Sequence, residues 1–218
     1  MRRIPPVTMF LLCANVAVYL LQMLSGDVLV LHFALWPLGG PEHARMGNEI
    51  VEIAFHPWQL LTYGFLHGGL THLAFNMLAL YMFGGPLEQL WGSRPFALFY
   101  LVCIVVAALT QLAVLGVVPP NGQFTPTIGA SGGVFGLLLG FGMMYPRQTI
   151  VLLIPPIPMP AWLFVILYGL MELYLGVTSN TGGGIAHFAH LGGMAAGFVM
   201  IQYWRGRLPI RPRRILMR

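Results

Sequence analysis

Lysine is absent from this 218-residue sequence, aspartate occurs once, and charged residues of all kinds make up 8% of the chain. A soluble domain carries about 25%. With 57% hydrophobic residues and a mean hydropathy of +0.77, little of the surface is suited to water, so lipid is the expected solvent. Cysteine is equally scarce. Cys13 and Cys103 both lie inside apolar runs, at no spacing that suggests a disulfide or a metal site. The net charge of +5 comes entirely from arginine. Because those arginines sit at the chain ends and in short turns between apolar runs, they exclude a nucleic-acid surface and point to lipid headgroups.

A spanning helix needs about 20 largely apolar residues. Six runs approach that standard, at about 8–25, 72–91, 96–117, 131–146, 160–177 and 184–204. The first follows Arg2-Arg3 but is long for a secretory leader and ends without a small-x-small cleavage site, so it reads as a helix. If the N-terminus is cytoplasmic, every arginine except Arg45 falls on the inner side, while Asp27, Glu42, Glu49 and Glu52 fall outside. This asymmetry predicts an all-α, polytopic bundle of six helices in one domain over 1–218, with both termini in the cytoplasm. The stretch 30–70, with Trp36, Phe55, Trp58, Tyr63 and Phe65, reads as an interfacial outer loop.

Polar groups inside a span are costly and have a reason. His72 with Asn76, Ser131 within Gly129-Ala130-Ser131-Gly132-Gly133, and His187 with His190 all fall in the outer third of the bilayer, by a rise of about 1.5 Å per residue. Gly132, Gly136 and Gly140 recur every fourth residue, as do Ala189, Gly193 and Gly197. Such stripes let two membrane helices approach closely. If they face each other, Ser131 and His190 come within hydrogen-bond reach, which is the arrangement of a base-activated serine. Ser131 also opens a helix, where unpaired N–H groups sit at the positive end of the dipole. His72 and Asn76 share a helix face and supply side-chain donors suited to an oxyanion. The outer segments 121–130 and 178–184 are polar and glycine-rich and allow water to enter.

Together these residues resemble the rhomboid family of intramembrane serine proteases. The likeness is carried by His67-Gly-Gly-Leu-Thr-His72-Leu-Ala-Phe-Asn76, Gly84-Gly85-Pro-Leu-Glu88, Gly129-Ala130-Ser131-Gly132, and Ala189-His190-Leu-Gly-Gly193-Met-Ala-Ala-Gly197, in order over about 55–200. The resemblance implies a Ser131 nucleophile and a His190 general base. It implies an oxyanion hole of His72, Asn76 and the Ser131 amide, and a Gly129 that shapes the loop beside the scissile bond. The Ala-His-x-x-Gly frame selects His190 over His187, which reads as a cavity-lining residue; His67 reads as structural. The family works as a dyad, and no acidic third member is expected near the outer part of the sixth helix; Glu172 has no assigned role. In the family an aromatic one turn after the serine often packs on the catalytic imidazole; the resemblance implies Phe135 for that place, which can stack but offers no hydroxyl. One departure is Trp58-Gln59, where the family often has Trp-Arg.

The resemblance further implies transmembrane protein substrates, contact with membrane lipid, no cofactor and no metal. It suggests a bacterial inner membrane, a site opening to the outer side, and the minimal six-helix form. The competing reading is a non-catalytic relative that binds membrane proteins without cutting. Paired broken helices or internal repeats, which mark many transporters, are not found, nor is a His-Glu-x-x-His helix.

Overall fold

The computed structural model describes residues 3–39, 42–46, 49–117, 125–151, 155–178, 186–210 and 212. The polypeptide is mostly helical. In order, it runs through α1 (Pro6–Ser25), α2 (Val28–Phe33), β1 (Glu42–Met46), β2 (Glu49–Ile53), α3 (Gln59–Thr62) and a 3₁₀ turn (Tyr63–Phe65). It continues through α4 (Leu70–Ala79), α5 (Gly85–Trp91), α6 (Ser93–Val117), α7 (Ser131–Met144), β3 (Thr149–Val151), β4 (Pro158–Pro160), α8 (Ala161–Thr178) and α9 (His187–Trp204).

Among the described residues, three helices are long and apolar enough to cross a membrane: Pro6–Ser25, Ser93–Gly116 and Ala161–Thr178. Their burial is inverted relative to a soluble helix. Along α8 the buried residues are Ala161, Val165 and Glu172, while Leu170, Tyr174 and Val177 are exposed. A helix that hides its one acid and presents leucine outward is built for lipid. The chain is an integral membrane protein on this ground.

α4 and α5 are two parts of one helical rod joined by a π-helical turn, Leu80–Gly84. Pro86 explains the widening: it has no N–H to give to the carbonyl four residues back, and its ring crowds the preceding turn. The six runs expected from hydropathy thus correspond to α1, the α4–α5 rod, α6, α7, α8 and α9, with α7 only 14 residues long. Of the glycine-rich outer segments expected to admit water, residues 121–124 and 179–184 lie outside the described residues.

Two small antiparallel hairpins were not anticipated. β1 pairs with β2 in the register Ala44↔Val51, and β3 pairs with β4 in the register Ile150↔Met159. Each occurs between helices, where the backbone must find hydrogen-bond partners outside a helix.

The core is set by α7. Ten of its 14 residues are buried, and it lies against α6, α8 and α9. The glycine stripes of α7 and α9 do face each other. A methyl group on Gly193 would collide with the Gly132 carbonyl, and one on Gly197 would lie 2.9 Å from the Phe99 ring and 3.2 Å from the Gly136 carbonyl. Buried Cys103 of α6 fills the remaining space beside Gly136, whereas Cys13 on α1 is exposed. Aromatic contacts close the far end, with Trp91 and Trp204 edge to face at 5.4 Å.

Glu88 anchors the start of the chain to this core. Its carboxylate accepts the N–H groups of Val7 (3.0 Å) and Thr8 (2.7 Å), the Thr8 hydroxyl (2.8 Å) and the Ser93 hydroxyl (2.7 Å). It caps the first turn of α1 from outside, where orphan donors and the helix dipole favour an anion.

Candidate active site

Ser131 is the first residue of α7, and the chain that delivers it is held from both sides. Leu35 and Thr127 exchange backbone hydrogen bonds at 3.0 and 2.9 Å, and the Gly129 N–H donates to the Tyr63 carbonyl at 3.0 Å. The Tyr63 hydroxyl in turn donates to Ile104 O in α6 at 2.8 Å. Gln59, at the departure from the family's Trp-Arg, is fully buried: Oε1 accepts the Trp36 N–H, and Nε2 donates to the Ala54 and His32 carbonyls. A neutral amide thus organises the segment over the site without importing a charge.

Gly129 adopts φ +128°, a conformation that favours glycine. A side chain there would also meet the His72 ring, 2.8 Å from Cε1 and 2.9 Å from Nε2. The absent Cβ is what lets His72 approach the serine. The Gly68 N–H donates to His72 Nδ1 at 3.2 Å, so Nδ1 is an acceptor and the neutral ring carries its proton on Nε2. Nε2 is therefore a donor on the side facing Gly129. Asn76, buried, uses one amide N–H on the His72 carbonyl at 2.9 Å, within its own helix; the amide has a second to offer.

His67 packs edge to face on His72 with centroids 5.1 Å apart. It is buried, its ring nitrogens have no hydrogen-bond partner, and its backbone is clamped by Gln22 through two bonds of 2.9 and 3.2 Å. Burial, reinforced by His72, pushes its pKa down to about 4, so the ring is neutral.

From α9, His190 Nε2 lies 2.8 Å from Ser131 Oγ. Phe135 stacks on the imidazole face with centroids 4.1 Å apart and planes 6° from parallel. The other ring nitrogen, Nδ1, is 2.9 Å from Glu172 Oε2, and the same oxygen is 2.7 Å from His187 Nδ1. The expectation that no acid approaches the sixth helix is therefore corrected: a buried glutamate from α8 reaches His190 directly. Equally, His187 is more than a cavity-lining residue, because it shares that carboxylate. The signal that could have revealed this is depth. Glu172 is the twelfth residue of the 18-residue α8, as far along its helix as the other polar groups require.

Among the described residues, Glu172, His187 and His190 also form the group able to hold a metal ion, with ligand atoms within 4.8 Å of one another. One carboxylate oxygen of Glu172 faces both Nδ1 atoms, at 2.9 Å for His190 and 2.7 Å for His187. The histidines 67, 72, 187 and 190 divide into two pairs, His67 with His72 and His187 with His190.

A helical membrane bundle holding a hydrogen-bonded serine, histidine and carboxylate at a glycine-packed helix crossing defines the class of polytopic membrane proteins with a buried polar site. The Rhomboid domain model matches residues 54–207, and the chain belongs to the rhomboid family. Rhomboid protease GlpG from Serratia proteamaculans (strain 568) is 25% identical over 206 residues, covering 93% of this chain and 63% of the relative. Rhomboid protease GlpG from Yersinia pestis (strain Pestoides F) is 24% identical over the same length and coverage. The chain thus spans about 63% of the length of the curated relatives it matches.

Proposed function

We propose that the chain is an intramembrane serine endopeptidase that hydrolyses peptide bonds in or near transmembrane segments of other membrane proteins. The observation that carries this reading is the 2.8 Å contact between Ser131 Oγ and His190 Nε2 at the start of a helix. Its family membership and the names of its relatives support the same reading.

In this reaction Ser131 Oγ attacks the scissile carbonyl while its proton moves to His190 Nε2. The tetrahedral oxyanion is met by the Ser131 N–H, His72 Nε2–H and the second amide N–H of Asn76. His190 then gives the proton to the leaving nitrogen as the C–N bond breaks. Water, deprotonated by the same imidazole, hydrolyses the acyl-serine and restores the hydroxyl. Gly129 leaves room for the substrate backbone beside the serine. The substrate must unwind locally, because a helix keeps its carbonyls in hydrogen bonds.

The arginine distribution supports cytoplasmic termini and a site near the outer face of a bacterial inner membrane. A transmembrane substrate incubated with the detergent-solubilised protein tests the reading. Ser131→Ala and His190→Ala are expected to abolish cleavage without unfolding, and a fluorophosphonate to label Ser131 only when His190 is present. Cleavage by Ser131→Ala at the wild-type rate would remove the mechanism.

A further inference from the structure

We propose that Glu172 is the positioning residue of this site, completing a Ser131–His190–Glu172 relay, with His187 as a second donor that holds the carboxylate in place. This inference rests on the serine-protease reading and adds a third member to its dyad.

An ionised carboxylate can only accept hydrogen bonds. Glu172 Oε2 faces His190 Nδ1 at 2.9 Å and His187 Nδ1 at 2.7 Å, so both of those nitrogens carry protons. With its single neutral-state proton on Nδ1, His190 has a bare lone pair on Nε2, and Nε2 is the atom 2.8 Å from Ser131 Oγ. The opposite tautomer would set a lone pair against the carboxylate, losing that contact, and would leave Nε2–H donating to Ser131 Oγ, where it could take no proton from the serine. Glu172 therefore selects the one tautomer able to take the serine proton. When that proton arrives, the imidazolium forms against a buried anion.

The geometry also explains why one acid serves two histidines. Glu172 is 5% exposed in an apolar helix, where a carboxylate with one partner is costly. His187, one turn before His190, supplies the second hydrogen bond. Phe135 closes the imidazole face, so ring rotation is opposed by stacking on the face and by hydrogen bonds at both nitrogens.

The decisive variant is Glu172→Gln, which keeps the shape and removes the charge. An amide can turn its N–H₂ toward His190 Nδ1 and install the wrong tautomer. The expected result is a kcat lowered by about ten- to a thousandfold with KM within about twofold, a parallel fall in the fluorophosphonate labelling rate at Ser131, and a melting temperature within a few degrees of wild type. A purely structural role would instead lower the melting temperature and leave the labelling rate of the folded fraction intact.

Unchanged kcat and labelling in Glu172→Gln, with Ser131→Ala and His190→Ala inactive, overturn the inference and leave the dyad standing. Activity in Ser131→Ala overturns the reading beneath it. Should Glu172→Gln fail to fold, histidine ¹⁵N spectra of the wild-type protein decide: a His190 ring protonated on Nδ1 is expected, and one protonated on Nε2 refutes the proposal.

Discussion

Gly193 lies against the backbone carbonyl of Gly132 with no space between them for a single methyl group. This contact sets the distance between α7 and α9, and through it the 2.8 Å separation of Ser131 and His190 one residue before Gly132 and three before Gly193. In a membrane, helices gain nothing by hiding apolar surface from lipid, so association relies on close packing of this kind.

Gly193→Ala is accordingly expected to push the helices apart. The obstacle is backbone, which cannot rotate away as a side chain would. A destabilisation of about 1–3 kcal/mol is expected, in the range of overpacked cores. Labelling of Ser131 in the protein that remains folded should fall by at least about tenfold. A thermal melt and a fluorophosphonate assay on the same sample measure both; retention of full labelling would show that the two helices are held at their distance by something else.

Glu88→Ala removes the acceptor of two backbone N–H groups and two hydroxyls that join α1 to the α5–α6 corner. Buried donors left without a partner cost about 1–3 kcal/mol each, and hydrogen bonds to a charged acceptor are stronger than average. A loss of about 3 kcal/mol is expected, with early release of α1 visible as proteolysis near the N-terminus. Glu88→Gln should recover part of it, because one carbonyl oxygen remains to accept.

His67 gives a specific pH dependence. Its folded pKa, about 4, lies below the ordinary value of 6.5, so the unfolded chain takes up the proton first. The stability tied to its neutral ring is complete above about pH 6.5 and is lost as pH falls toward 4, at up to about 1.4 kcal/mol per unit. His67→Leu keeps an apolar volume and abandons no side-chain hydrogen bond, since the ring nitrogens have no partner. The variant should melt close to wild type at pH 7.5 and above it at pH 4.5. Parallel melting curves across that range would contradict a buried neutral His67.

A metal-free mechanism is expected to survive chelation, so EDTA should leave cleavage unchanged. Added Zn²⁺ should inhibit, because it competes with the protons on His187 Nδ1 and His190 Nδ1 beside the Glu172 carboxylate. His187→Ala removes one ligand and should raise the inhibitory zinc concentration by at least about tenfold, measured against the variant's own, reduced, zinc-free cleavage rate. Equal zinc sensitivity in the two proteins would place the ion elsewhere.

Much of the candidate site is legible in the sequence. Ser131, His190, His72 and Asn76 stand out because polar side chains are rare in apolar spans and because their depths agree. The glycine stripes named the helices that touch, and their close contact follows from the same small residues. The family resemblance points to Phe135 as the aromatic beside the imidazole, and it stacks there. The acid was missed for a different reason. Glu172 lies 18 residues before His190, on another helix, and whether it reaches the imidazole depends on the rotation of α8 about its axis. That rotation is set by how α8 packs on α7 and α9, which no local pattern encodes.

The sequence by itself determined the solvent, the helical class, the family and the identity of most polar groups within the spans, because hydropathy and small-residue spacing act locally along the chain. Only the tertiary structure decided which atoms meet: that His72 turns a donor toward Gly129, that Gln59 rather than a charge organises the outer segment, and that one carboxylate holds two histidines. Hydrogen bonds are satisfied within tenths of an ångström, and such distances between remote residues are fixed by how the helices pack.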